Sequence, residues 1–136
     1  MIQHHHISLQ PRSRGTYLIT REVLSLIPTL PQEGLLNLFI KHTSAGITIN
    51  ENADPSVRVD FSAFFDHIVP ERMSFVTHDM EGDDDMPAHV KASLVGSSVS
   101  IPISKGRLML GTWQGVYLCE FRDRSHQRNL IATIYS

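Results

Sequence analysis

The chain has one cysteine, Cys119, in 136 residues. A lone cysteine excludes an intramolecular disulfide and suits a reducing compartment. No apolar run approaches the roughly 20 residues that a membrane helix needs. No N-terminal stretch joins a charged start to an apolar run, so no secretory signal is read. Charge of one sign is lacking too. Twelve Lys and Arg stand against fourteen Asp and Glu, a formal net charge of −2, which gives nucleic acid or an anionic membrane nothing global to hold. There is no Walker loop and no dinucleotide fingerprint. Repeats, linkers and low-complexity segments are missing as well. What remains is an ordinary globular composition, 41% hydrophobic and 19% charged, in a length that fits a single domain, residues 1–136, with one core. A cytoplasmic protein is expected.

Periodicity places the elements. Residues 3–9 and 16–20 read as strands joined by the Pro11–Gly15 turn, with His4-His5-His6 as native strand sequence and no metal role. Glu22 to Ile27 reads as a short helix stopped by Pro28. Residues 35–51 read as a β-hairpin turning at Ser44-Ala45-Gly46. Asp54-Pro55 is an N-cap followed by proline at the first helical position. Val57, Phe61, Phe64, Phe65 and Ile68 give that helix an apolar face, and Pro70 ends it. A polar loop over 71–85 leads to a second helix opened at Pro87 and closed by Gly96, with Asp85 or Met86 as its N-cap. SVSIPIS, RLMLG, GVYLCEFRD and NLIATIYS read as four closing β segments. The order predicts an α+β fold, mainly antiparallel, with two to three short helices.

Three clusters carry the chemistry. Lys41 to Asp54 holds His42, the Thr43-Ser44 hydroxyls, Asn50 and Glu51 at the ends of apolar segments. His78 to His89 holds two histidines and five carboxylates in twelve residues, Glu81 and Asp83 to Asp85 among them. Like charges this dense repel, and a cation would relieve them; capping and solvation at a helix N-terminus is the plainer alternative. His42, His78 and His89, with Asp84, suggest a metal site with an open position. Histidine with carboxylate suits Zn²⁺, Mn²⁺ or Fe²⁺, and carboxylate with water suits Mg²⁺. The third cluster is Gly111-Thr112-Trp113-Gln114-Gly115, where Trp113 is either a stacking surface or a core residue. Glu120 shares a strand face with Val116 and Leu118 and needs a partner, for which Arg122 or His126 is available. Cys119 lies mid-strand among apolar neighbours and reads as buried and inert.

The three clusters in this order resemble the YjbQ family, whose members are described as secondary thiamine-phosphate synthases. The resemblance rests on His42-Thr43-Ser44-Ala45, Asn50-Glu51, the block from His78 through Glu81-Gly82-Asp83-Asp84 to Met86-Pro87-Ala88-His89-Val90-Lys91, and Gly111-Thr112-Trp113-Gln114. It covers nearly the whole chain, and departs from many relatives in the added charge of the acidic loop. It implies a compact α+β domain, a homotrimer and a site built from the three clusters.

The implied reaction joins a pyrimidine methyl diphosphate to a thiazole phosphate and releases pyrophosphate. On that reading His42, Thr43, Ser44, Glu51, Glu81 and His89 are catalytic, and a divalent ion (Zn²⁺, Mg²⁺ or Mn²⁺) sits on the acidic loop. Lys41, Asn50, Lys91, Thr112, Trp113 and Gln114 bind a small phosphorylated substrate. A metal-dependent hydrolase of a small phosphorylated or heterocyclic metabolite is the alternative, and a non-catalytic metabolite-binding trimer is another.

Overall fold

The computed structural model describes residues 1–136. Eleven elements follow one another. Strand β1 (Ile2–Ser8), β2 (Gly15–Leu18) and helix α1 (Thr20–Ser25) precede β3 (Glu33–Ile40), β4 (Ala45–Glu51) and helix α2 (Pro55–Ile68). Helix α3 (Asp85–Val95) precedes β5 (Ser98–Ser104), β6 (Arg107–Leu108), β7 (Gln114–Glu120) and β8 (Asn129–Tyr135). The strands form two sheets, β1-β8-β3-β5-β6 and β2-β7-β4, and every paired neighbour is antiparallel. The α+β class is as expected.

The segment 35–51 is not a hairpin. β3 pairs with β5 and β8, whereas β4 pairs with β7 in the other sheet. The reason is burial. Leu36, Leu38 and Ile40 of β3 alternate into the same core as Ala45 and Ile47 of β4. A hairpin would set the two strands edge to edge and leave one of those faces uncovered; facing each other across the core buries both. For the same reason β1 and β2 join different sheets. Each fully buried aliphatic in that core contributes on the order of 1.5–3 kcal/mol.

The helices cover the second sheet. Asp54 caps α2, its carboxylate accepting the Ser56 N–H at 2.9 Å, with Pro55 at the first turn as expected. Phe61 and Phe65 meet Tyr117 and Phe121 edge to face. Phe64 and Ile68 turn outward instead, 64% and 61% exposed. α3 starts at Asp85, two residues earlier than Pro87 alone suggests, and Gly96 closes it at φ 108°. Its end lies tight on β4: a Cβ on Gly46 would stand 2.9 Å from Val95 Cγ1. At the other end His89, in the helix's first turns, reaches the Thr43 carbonyl in the segment that enters β4.

Candidate metal centre and its cavity

Arg122 organises the acidic loop. It lies just past β7, and its planar fork reaches three points. Nε donates to Asp84 Oδ2 at 2.9 Å, Nη1 to Asp85 Oδ1 at 2.6 Å and Nη2 to the Glu81 carbonyl at 2.9 Å. The Asp123 N–H adds a bond to Asp84 Oδ2 at 2.9 Å. Burial opposes ionisation of Asp84, but the Asp123 N–H and the guanidinium outweigh it, holding the carboxyl below its ordinary range. The repulsion expected along this loop is therefore met largely by the protein's own cation.

Asp85 is the centre of the cluster. Its side chain is 1% exposed. Oδ2 lies 2.7 Å from His78 Nε2 and 3.2 Å from His89 Nε2. Burial again opposes its charge, and the His78 bond, with the neighbouring His89 ring and Arg122 guanidinium, outweighs that and keeps its pKa low. The donor atoms of His78, Asp85 and His89 all lie within 4.8 Å of one another, and the two imidazole rings are 5.5 Å apart. His89 Nδ1 sits 2.9 Å from the Thr43 carbonyl. A carbonyl only accepts, so Nδ1 carries the proton.

His42 stands on the facing segment. Its Nε2 accepts the Asn129 N–H at 2.8 Å. Burial first, then the Arg128 charge, lower its pKa, with Glu120 acting in opposition. Ser44 is buried beside it. Arg128 Nη2 donates to Ser44 Oγ at 2.9 Å, and the same guanidinium binds both Glu120 oxygens at 2.6 and 2.5 Å. Arg128 is thus the partner of Glu120; Arg122 reaches that carboxylate only through its backbone N–H, and His126 bonds to the Arg124 carbonyl. A cavity of about 670 Å³ opens between the two segments, with His42, Thr43, His89, Ser93 and Ser97 as its polar lining.

The third cluster is elsewhere. Ala45 pairs with Glu120 at one end of β4, and Glu51 pairs with Gln114 at the other. Six strand steps make that about 20 Å. Glu51 there accepts the Ala53 and Asp54 N–H groups, and Asn52 ties down the Thr112 and Gln114 carbonyls. Gln114 accepts the Gly111 N–H. Trp113 is 65% exposed, neither core nor near the histidines in this chain. Lys91 is fully buried and donates to Asp66 of α2 at 2.6 Å. Glu81 and Lys41 are exposed.

The carboxylate that joins the histidines is Asp85, not Asp84. Asp85 and His89 are four residues apart on one helix, a spacing that puts them on one face. Sequence reasoning missed the pair because it began the helix two residues late. Arg122 and Arg128 were visible as basic residues, but nothing local shows that they turn inward. Cys119 is buried as expected, and burial pushes its thiol up to about 12.

Residues 5–136 match the family model described as UPF0047 protein YjbQ-like. The YjbQ protein of Salmonella typhimurium is 46% identical over 130 residues, 94% of each chain. A solved Clostridium acetobutylicum structure of the YjbQ/UPF0047 family has a TM-score of 0.79 at 38% identity, covering 95% of this chain and 98% of that one. A Sulfolobus solfataricus structure, described as a YbjQ-like protein of unknown function, has a TM-score of 0.84 at 22% identity, covering 98% and 96%, and speaks to the fold alone. These relatives carry a family designation and no activity, so the thiamine-phosphate synthase reading does not stand. The geometry agrees. Of the residues expected to bind substrate, Asn50 and Gln114 lie at the far end of the β4–β7 pair, about 20 Å from its His42 end, and Lys91 is buried on Asp66, while Asp84 and Asp85 are held by Arg122. The chain belongs to the YjbQ-like UPF0047 family.

Proposed function

We propose that this protein binds a divalent transition-metal ion through His78, Asp85 and His89 and offers the ion's open positions to a small ligand in the neighbouring cavity. One observation carries the reading. The Thr43 carbonyl accepts the Nδ1–H of His89, and a ring with that single proton turns the bare lone pair of Nε2 toward Asp85 Oδ2 at 3.2 Å. Two acceptors so placed repel unless a positive charge lies between them. A metal ion supplies it, and the Thr43 bond is then the outer contact that orients a ligating histidine. Arg122 plays the same part for Asp85. Two imidazole nitrogens and one carboxylate suit Zn²⁺, Fe²⁺ or Mn²⁺ better than Mg²⁺, which prefers oxygen.

Chelator-treated protein titrated with Co²⁺ tests this. One ion per chain is expected, with visible absorption bands that His89→Ala removes. A doubly protonated His89 is the competing source of charge. Protein that takes up no Co²⁺, and whose His89 ring carries two protons by ¹⁵N NMR near neutrality, would replace the metal with an imidazolium.

The homotrimer implied by the resemblance is part of the proposal. Val59, Phe64 and Ile68 on α2, with Met109 and Trp113, are large apolar side chains facing solvent, and contact between copies would cover such a surface. Light scattering is expected to give three times the 15.3 kDa chain mass; a monomer at micromolar concentration would refute it.

A further inference from the structure

We propose that His42 is a hydrogen-bond donor to an oxyanionic ligand in the cavity it shares with His89, and not a metal ligand. The inference rests on the metal-ion reading of the same site, since the anion would also meet the ion there, but its geometry is independent of the ion.

The tautomer comes first. The Asn129 N–H points at His42 Nε2 from 2.8 Å, so Nε2 must accept. In a neutral ring the proton is then on Nδ1. Coordination through Nε2 would orphan the Asn129 N–H at the start of β8, and coordination through Nδ1 would require the ring to lose its remaining proton. Neither is favourable. The ring stays neutral because burial and the nearby Arg128 disfavour the imidazolium.

The exposure of Nδ1 comes next. It makes no hydrogen bond within the protein, whereas every buried side-chain nitrogen and oxygen has a partner. Nδ1 therefore meets solvent, and the residue lines the cavity of about 670 Å³. No carboxylate lines that space. Thr43, Ser93 and Ser97 bring hydroxyls, and alanine and glycine complete the wall. A site with an N–H donor, hydroxyls and no acidic group suits a carboxylate or phosphoryl oxygen. The volume fits a small molecule and not a polymer segment of any length.

The test uses the full chain, either Co²⁺-loaded or chelator-treated, with inorganic phosphate and acetate as separate probes in isothermal titration. Wild-type protein should bind at least one of them, and which one identifies the anion. His42→Ala should weaken that binding at least about tenfold (~1.4 kcal/mol) while leaving Co²⁺ affinity within about threefold. His42→Gln, whose amide also donates, should recover most of the loss. The ¹⁵N spectrum of wild type should show His42 as the Nδ1–H tautomer. The proposal is overturned if neither anion binds, if His42→Ala leaves anion affinity unchanged, or if it costs Co²⁺ affinity as His89→Ala does. Protein that takes up no Co²⁺ would sink the metal reading alone, because the chelator-treated arm still measures His42 against the anion.

Discussion

Asp85 and His89 lie one turn apart on α3, and Asp85 Oδ2 stands 3.2 Å from His89 Nε2 while Asp85 Oδ1 is held by Arg122 at 2.6 Å. One carboxylate thus joins the candidate metal centre to the residue that anchors its loop. The two neighbouring acids should separate in mutagenesis. Asp85→Asn is expected to reduce Co²⁺ affinity by at least about 100-fold, as loss of a ligand. Asp84→Asn acts at one remove, through Arg122 and the Asp123 N–H, and should reduce it by about 10-fold, within the range of outer-contact changes. Equal effects from both would mean that Asp85 is not a ligand.

Acid should destabilise the metal-free protein in two steps. The folded pKa of His42 is lowered from 6.5, so its contribution is complete above 6.5 and is lost as pH falls below that value, where the unfolded chain takes the proton first. Asp84 and Asp85 are lowered from 3.8. Their contribution is complete above 3.8 and is lost as pH falls through their folded values. Urea unfolding from pH 8 to pH 2 measures both. His42→Gln should flatten the first step and leave the second; a first step that survives the substitution would assign it to another group.

Glu120 and Arg128 form a buried pair beside Ser44. Removing one partner strands the other, so Arg128→Met should destabilise by about 3–5 kcal/mol. The double variant Glu120→Leu with Arg128→Met should recover much of that loss. Denaturant melts of the three proteins close the cycle. A double variant no better than the single one would show that Arg128 acts mainly through the Ser44 turn.

Lys91 makes the opposite case. It is fully buried, yet its partner Asp66 is half exposed and also lies 3.6 Å from Arg14. Lys91→Met keeps the buried length and leaves Asp66 with water and Arg14. We expect stability within about 1 kcal/mol of wild type, as for many buried ions replaced by apolar side chains, and unchanged Co²⁺ and anion binding. Loss of anion binding would restore Lys91 to the ligand site.

The parts of the fold legible in the sequence were the local ones. Asp54-Pro55 and Gly96 marked helix ends because caps and φ constraints act within a few residues. The strand segments were legible from alternation. Sheet membership was not. Nothing in residues 35–51 distinguishes a hairpin from two strands in facing sheets, since both bury the same side chains. The nearness of His78 and His89 was legible, because both belong to one polar loop that opens a helix, and their rings lie 5.5 Å apart. Asp85 was hidden by a helix start placed two residues late. The resemblance grouped Trp113 and Gln114 with His42 in one site, but Gln114 pairs with Glu51 at the end of β4 far from His42.

The grip of Arg122 on Glu81, Asp84 and Asp85 also divides the loop into unequal parts. Its last residues are fastened to the sheet, while Met80 is 95% exposed and makes no side-chain bond. A fluorophore or short peptide inserted at Met80 would hang from the molecule a few residues from the histidines with its attachment point independent of theirs. The loop is therefore a natural mount for a sensor that reports what enters the cavity.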